Sequence, residues 1–247
     1  QLRSTWNRFK VWWQHEWEKY SLDSIWSFIF FLAILGVAFY AASLFEQGFT
    51  IPLSGDYTQQ QIPFYTNGYD DWWHFFRTGE FVLWDHNTNL GVNNIGANAF
   101  YYFLNPFFLP ILLFPRAYIA QGMAVLMITK MILAVLTMRA YLKYMGVKEG
   151  TARLFAIAFG FGGWMTYYLW FNHFMEVVVV FPLIFLGVEK VLKEQKPLFL
   201  MGAVALMGFS NYFFLVSTCM AAVLYAGFRY IQKFESYSVK NRFTEIG

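Results

Sequence analysis

The sequence predicts an all-helical protein that crosses a membrane several times, and three observations carry that prediction. Hydrophobic residues make up 58% of the 247, aromatic residues 23% and charged residues only 13%, which is more apolar surface than a soluble chain of this length buries. Apolar runs recur along the chain, several reaching the roughly 20 residues that cross hydrocarbon as a helix. Lysine and arginine gather in alternate connections between those runs, as retention on one membrane face requires.

The elements follow in order. In segment 1–23, Trp6, Phe9, Trp13, Trp17 and Tyr20 recur at spacings of three and four, with Arg8, Lys10, Glu16 and Lys19 elsewhere. This is a helix lying on the inner leaflet. The apolar runs 25–45, 117–142, 154–171, 177–191, 198–209 and 213–230 make about six spans within a transmembrane unit over 24–235. The last two are short, but Ser210, Asn211 and Tyr212 form a polar break, and one helix over both would overrun the bilayer by roughly a third. The first long connection, 46–116, holds most of the remaining polar chemistry. Inside it, Tyr65, Tyr69, Trp72, Trp73 and Phe76 form a stripe opposite Asn67, Asp70, Asp71, His74 and Arg77, stopped by Gly79. This predicts a second interfacial helix. Asparagine and glycine over 84–94 predict a loop. Pro106 and Pro110 predict a broken, re-entrant element over 100–114, tolerated in a membrane where protein or a wet cavity satisfies its backbone.

Orientation follows from the cations. Arg3, Arg8, Lys10 and Lys19, then Lys143, Lys148 and Arg153, then Lys190, Lys193 and Lys196, then Arg229, Lys233, Lys240 and Arg242 account for 14 of the 18 basic residues. All fall on one side when both ends are cytoplasmic, which places 46–116 and the turns at Asn172–His173 and 210–212 outside and leaves 236–247 as a cytoplasmic segment. Gln1 without an initiator Met and the end at Gly247 predict a piece of a longer protein, with no removable signal peptide. The lone Cys219 excludes an internal disulfide framework and reads as a small apolar packing residue. No basic cluster calls for nucleic acid, and no heptad or solenoid repeat is present.

Asp56 is the main lead to function, a carboxylate followed by Gln59 and Gln60 on the outer face, just ahead of the aromatic helix. Its residue type leaves two readings open, a helix cap for Thr58 onward and a reactive acid at the membrane surface. Lys130, about 20 Å into its span at 1.5 Å per residue, reads as a cavity-facing charge more readily than as a snorkelling one. Arg139 lies one turn from Lys143 and snorkels inward. His74, His86 and His173 with neighbouring carboxylates lack any metal-ligand spacing, and Gly160 to Gly163 read as close-packing glycines rather than a nucleotide loop.

The order Gly55-Asp56 with 59–63, then 79–84, then Asn89-Leu90-Gly91 and Asn94, then Tyr101-Tyr102 to Pro106-Phe107, then Lys130 in its helix, resembles the N-terminal part of the YfhO family of bacterial membrane proteins. Pro182 to Lys190 and Ser210-Asn211-Tyr212-Phe213 continue the pattern. The resemblance implies a GT-C-like fold in a chain whose relatives are much longer. It implies glycosyl transfer from a polyprenyl-phosphate sugar to a cell-surface glycopolymer such as lipoteichoic acid, outside the bacterial cytoplasmic membrane. On that reading Asp56 is the base that takes the acceptor's proton. Lys130, Arg116 and Arg77 are the cations for the donor phosphate, and Gln59, Gln60, Asn94, His173, Glu176, Asn211 and Tyr212 line the substrates. The resemblance implies no certain cofactor, with a divalent ion, which some GT-C relatives use, as the alternative. The alternative class is a transporter or flippase for a lipid-linked sugar or small molecule, for which a wet cavity around Lys130 would also be expected.

Overall fold

A computed structural model of the chain describes residues 24–51, 55–86, 88 and 90–244, the helix beyond Gln232 as backbone only. The expected inner-leaflet helix over 1–23 lies outside the described residues. The rest is almost entirely helical. Helix α1 (Ile25–Phe39) is capped by Ser24, whose Oγ accepts from the Trp26 amide at 3.2 Å. A short α2 (Ala41–Glu46) follows a break at Tyr40, so the first apolar run is two pieces rather than one. Further on come α3 (Ile62–Thr78), α4 (Asn94–Asn98), α5 (Ile119–Tyr144), α6 (Glu149–Gly160), α7 (Gly163–Tyr167), α8 (Met175–Glu194) and α9 (Pro197–Thr244).

The central rod is α5, about 39 Å long at 1.5 Å per residue, and α1, α6 and α8 pack on it. Small residues set these crossings. A Cβ at Gly36 would stand 2.6 Å from Ile128 Cγ2, and one at Gly160 would stand 2.5 Å from Val135 Cγ2, so both helices approach α5 as closely as backbone allows. The expected third span is interrupted after Gly160. Its chain continues as α7 and a 3-10 turn, Tyr168–Trp170.

Helix α9 is two helices in one assignment, divided at Asn211, whose φ of −157° and ψ of 85° are not helical. A straight rod would hold residues 200 and 229 about 44 Å apart. Instead Leu200 packs on Gly187, while Tyr225 donates to Glu189 Oε1 at 2.6 Å and Arg229 pairs with the same carboxylate. Both halves therefore reach the same end of α8, and the chain reverses at the predicted polar break. By length and composition, 116–144 and the stretch 197–232, counted through its reversal at Asn211, qualify to cross a membrane among the described residues, with α1 a shorter apolar helix.

Charge is sorted along the long axis. One end carries Glu149 with Arg139, Lys143 and Arg153, and Glu189 with Lys193 and Arg229. The other end is built from 55–116 and the turn at 171–174. There α3 ends at Gly79 with φ of 78°, the predicted left-handed stop. Its aromatic stripe divides, because Tyr65 is fully buried whereas Phe76 is 56% exposed. Gly68 admits the Tyr102 and Phe108 rings, which would lie 2.5 and 2.8 Å from an added Cβ, and this draws the first half of α3 into the core. The expected loop over 84–94 contains a two-residue antiparallel ladder, β1 (Trp84–Asp85) with β2 (Val92–Asn93), in register Trp84 to Asn93. Segment 99–113 is broken as predicted, into a π-helical turn Ala99–Phe103 and a 3-10 turn Leu109–Leu113.

Candidate functional site

A polar cluster inside the helices lies beneath the end built from 55–116. Lys130, eleven residues and about 16 Å into α5, is 1% exposed. Its ammonium donates to Glu176 Oε1 and Asn172 Oδ1, both at 2.7 Å, with the Asn172 carbonyl at 3.3 Å and the Tyr65 hydroxyl at 3.4 Å. Asn172 Nδ2 donates back to the Tyr65 hydroxyl at 2.7 Å. The second oxygen of Glu176 accepts from Asn105, whose own Oδ1 accepts from the Phe107 amide at 2.9 Å. A lysine has three protons to give, and here all three are met by protein. The expected donor-phosphate cation is thus the counter-charge of a buried carboxylate. Low-dielectric surroundings make such a charge tolerable only when it is paired and fully hydrogen-bonded.

The other two expected phosphate cations are not brought to it. Arg116 forms a two-pronged pair with Asp70, Nε to Oδ1 and Nη2 to Oδ2 both at 2.8 Å, at the exposed rim. Arg77 donates to the Trp73 carbonyl at 3.1 Å near the end of α3. Arg116 lies about 20 Å before Lys130 by helix rise, and Arg77 about 18 Å along α3 from Tyr65, the residue of that helix that touches Lys130, so the three are not brought together. Asn94 is likewise held by protein partners. Its Nδ2 donates to Asp71 Oδ2 and the Val82 carbonyl, both at 2.7 Å, and its Oδ1 accepts from Asn98. It braces the ladder against α3. Burial raises the Asp71 carboxyl above its ordinary range, with the Asn94 and Tyr102 hydrogen bonds pulling against that shift.

Above the buried cluster lies the surface around Asp56. Gly55 has φ of 69°, a left-handed turn that brings the chain against Trp170 and sends Asp56 outward. Asp56 starts the π-helical turn Tyr57–Gln61 and makes no side-chain capping bond; Thr58 Oγ1 instead donates to the Gly55 carbonyl at 3.2 Å. The carboxylate is exposed, as is Gln59, with Gln60 half-buried. The same turn points Tyr57 and Gln61 inward. π-helical turns are rare and concentrate at functional sites because they redirect side chains in this way. Tyr101 stands close enough to Asp56 that burial, then Tyr212, then the Asp56 charge push its phenol above the ordinary value.

The turn at 172–174 joins the two levels. Asn172 faces down to Lys130, while His173 Nδ1 lies 3.3 Å from Gln61 Oε1. The His173 carbonyl accepts from Asn211 Nδ2 at 3.1 Å, and Asn211 Oδ1 accepts from the Phe214 amide at 3.2 Å, so Asn211 organises the chain reversal and this turn together. Of the expected substrate residues, Asp56, Gln59, Gln60 and Tyr212 face out, His173 and Asn211 lie one layer beneath, and Glu176 lies at the bottom in the ion pair. Gln61, Asn105, Asn172, Tyr65 and Tyr101 complete the assembly; each lies in a stretch marked from sequence, but none was expected individually as a catalytic or substrate-binding residue. Beside it, an apolar groove of about 450 Å³ runs between α6, α8 and α9, lined by Phe159, Trp164, Val178, Phe181, Phe214 and Thr218. Among the described residues, no three His, Cys, Asp or Glu side chains are grouped to hold a metal ion.

Residues 27–246 match the family described as bacterial membrane protein YfhO. No curated protein and no solved structure matches the chain.

Proposed function

The chain belongs to the YfhO family of bacterial membrane proteins, and from that premise we propose that it is the N-terminal part of a GT-C-like glycosyltransferase. In this reading it crosses the cytoplasmic membrane about six times, with the basic end inside as the positive-inside rule requires. It transfers a sugar from a polyprenyl-phosphate donor to a cell-surface glycopolymer such as lipoteichoic acid at the extracytoplasmic end. One observation carries the proposal, the exposed Asp56 carboxylate held by a left-handed Gly55 at the start of a π-helical turn without a capping bond of its own. That freedom is what a base needs and what a cap would not have.

The step is a displacement at the sugar's anomeric carbon. The acceptor hydroxyl oxygen forms the new bond, its proton passes to Asp56, the carbon–oxygen bond to phosphate breaks, and polyprenyl phosphate departs with the electron pair. Gln59, Gln60 and Tyr212 surround the reacting groups, and the apolar groove suits the isoprenoid chain. Lys130, Asn172, Asn105 and Glu176 act as positioning residues, holding the 172–174 turn and the broken 99–113 segment in fixed relation to α5. The test is the full-length protein in proteoliposomes with a synthetic polyprenyl-phosphate sugar. Donor consumption that requires a glycopolymer acceptor supports transfer.

A carrier is the second reading, favoured by the depth of the Lys130–Glu176 pair in the helices, since buried charge at mid-membrane also marks transport pathways. Movement of the donor across the bilayer without its consumption would select that reading.

A further inference from the structure

The basic end gathers an excess of positive charge in one crease. Helix α5 turns back into α6 through the short connection 145–148, where Gly146 has φ of 84°. The reversal sets Glu149, the first residue of α6, against the last turns of α5. Arg139 reaches its Oε1 through Nε and Nη2, both at 2.8 Å, Lys143 lies 3.5 Å from Oε2, and Arg153 Nε donates to Oε1 at 2.6 Å. Burial works against the ionised carboxyl, but the Arg139 and Arg153 hydrogen bonds outweigh it and hold Glu149 down to about 2. It therefore carries one full negative charge at neutral pH.

One carboxylate offsets one cation. Arg153 makes the shortest of these contacts, and its guanidinium also lies over the Phe28 ring, 4.9 Å from the centroid. Even with Glu149 assigned wholly to Arg153, Arg139 and Lys143 remain as two positive charges one turn apart on α5. Neither pairs with another carboxylate among the described residues. The nearby Glu189 is engaged elsewhere, by Tyr225, Arg229 and Lys193. Partly buried cations short of a counter-charge favour binding an anion.

The surroundings favour an anion with an apolar body. Immediately beyond Arg153, Leu154 and Phe155 are 66% and 60% exposed, on a helix of a membrane protein. A soluble phosphate would use the cations and leave these side chains uncovered, whereas a lipid covers both. Basic pockets between helices on the cytoplasmic side of membranes take anionic headgroups in this way.

We propose that the crease at the α5–α6 reversal binds one anionic phospholipid, with Arg139 and Lys143 on its phosphate and its acyl chains over Leu154 and Phe155. Glu149 spaces the two cations and limits the affinity by its own charge. The site stands independently of the transferase reading, at the opposite end of the molecule from Asp56.

The test titrates full-length protein in mixed micelles with phosphatidylglycerol or phosphatidylcholine and counts bound lipid by native mass spectrometry. The wild type should hold one phosphatidylglycerol at least about 10-fold more tightly than phosphatidylcholine, the scale set by two cations beside an anionic headgroup. Arg139→Gln with Lys143→Gln should abolish that preference, whereas Lys190→Gln with Lys196→Gln, which removes as much charge from the same end, should keep it. Glu149→Gln should tighten phosphatidylglycerol binding by about 5-fold, the effect of one unit charge; loss of a merely structural ion pair would not. Equal loss of preference in the two double variants would overturn the proposal in favour of a general attraction of the basic end for anionic lipid. Absence of any preference in the wild type would overturn it outright, as would displacement of phosphatidylglycerol by an equal concentration of inorganic phosphate. If the Arg139/Lys143 double variant does not fold, Glu149→Gln decides the matter, and unchanged or weaker phosphatidylglycerol binding there contradicts the site.

Discussion

Breaking the Lys130–Glu176 pair from one side should cost far more than removing it from both. The two charged groups are 2.7 Å apart and effectively solvent-free. Removing one partner of a buried pair leaves the other uncompensated, at about 3 to 5 kcal/mol in soluble proteins. A membrane protein belongs at the lower end, because its unfolded chain also finds partners within the bilayer. We therefore expect Lys130→Met and Glu176→Gln each to lose about 3 kcal/mol. The double variant should lose no more than the larger single loss, because the amide introduced at position 176 keeps an oxygen for Asn105 and no charge remains. The assay is equilibrium unfolding in mixed micelles for wild type, both singles and the double. Additive losses, with coupling within about 0.5 kcal/mol, would show that the pair is not one unit. Activity per folded molecule then separates the two roles of Lys130. A cation on the donor phosphate would leave the double variant with a raised donor KM, whereas a positioning lysine predicts recovery in the double.

Three further outcomes follow from particular contacts. Gly68→Ala should lose about 1 to 3 kcal/mol by overpacking, because its Cβ would meet the buried Tyr102 and Phe108 rings; Gly202→Ala, with nothing within 4 Å, is the control, and equal unfolding midpoints for the two would refute the packing of α3. Burial raises the Asp71 carboxyl, so the folded state holds its proton to higher pH than the unfolded state and stability falls as pH rises from about 4 through the raised value; Asp71→Asn should flatten that fall in melting curves, and an unchanged pH profile would contradict it. With Cys219 replaced, single cysteines at 71, 86 and 173 should be reached by an impermeant thiol reagent from outside, after opening of the Phe100 and Tyr101 rings that cover 173, and those at 148 and 193 only from inside; labelling at 148 but not 86 in intact cells would sink the six-span topology.

Much of this arrangement was legible because it is local. The stop at Gly79, the interruption of 100–114 by Pro106 and Pro110, and the reversal at Asn211 each depend on a residue whose own backbone preferences or side chain break a helix. The close-packing reading of Gly160 also needed only a small residue in an apolar run. The buried cluster was not legible in the same way. Lys130 was visible as a costly charge, but its partners lie 42, 46 and 65 positions away in sequence, and no period or spacing joins them. Depth marked Lys130 as a cavity-facing charge and the resemblance directed it toward a phosphate, but neither could show that tertiary packing sets the Glu176 carboxylate against it. Tyr65 belonged to a stripe whose uniform spacing hid its division between core and surface. Gln61 was one of three consecutive glutamines until a π-helical turn, which no helical period forecasts, set it inward and its neighbours out. The two-residue strands at 84–93 are too short to show alternation.

The central claim is that Asp56 removes the acceptor's proton, and Asp56→Asn in the full-length protein tests it most directly. The substitution keeps shape and polarity and disturbs no capping bond, since the carboxylate makes none. Sugar transfer from a polyprenyl-phosphate donor to cell-wall polymer should fall by roughly 100- to 10,000-fold, the range for loss of a general base, with donor binding and melting temperature unchanged. Near-normal turnover by Asp56→Asn would contradict the account.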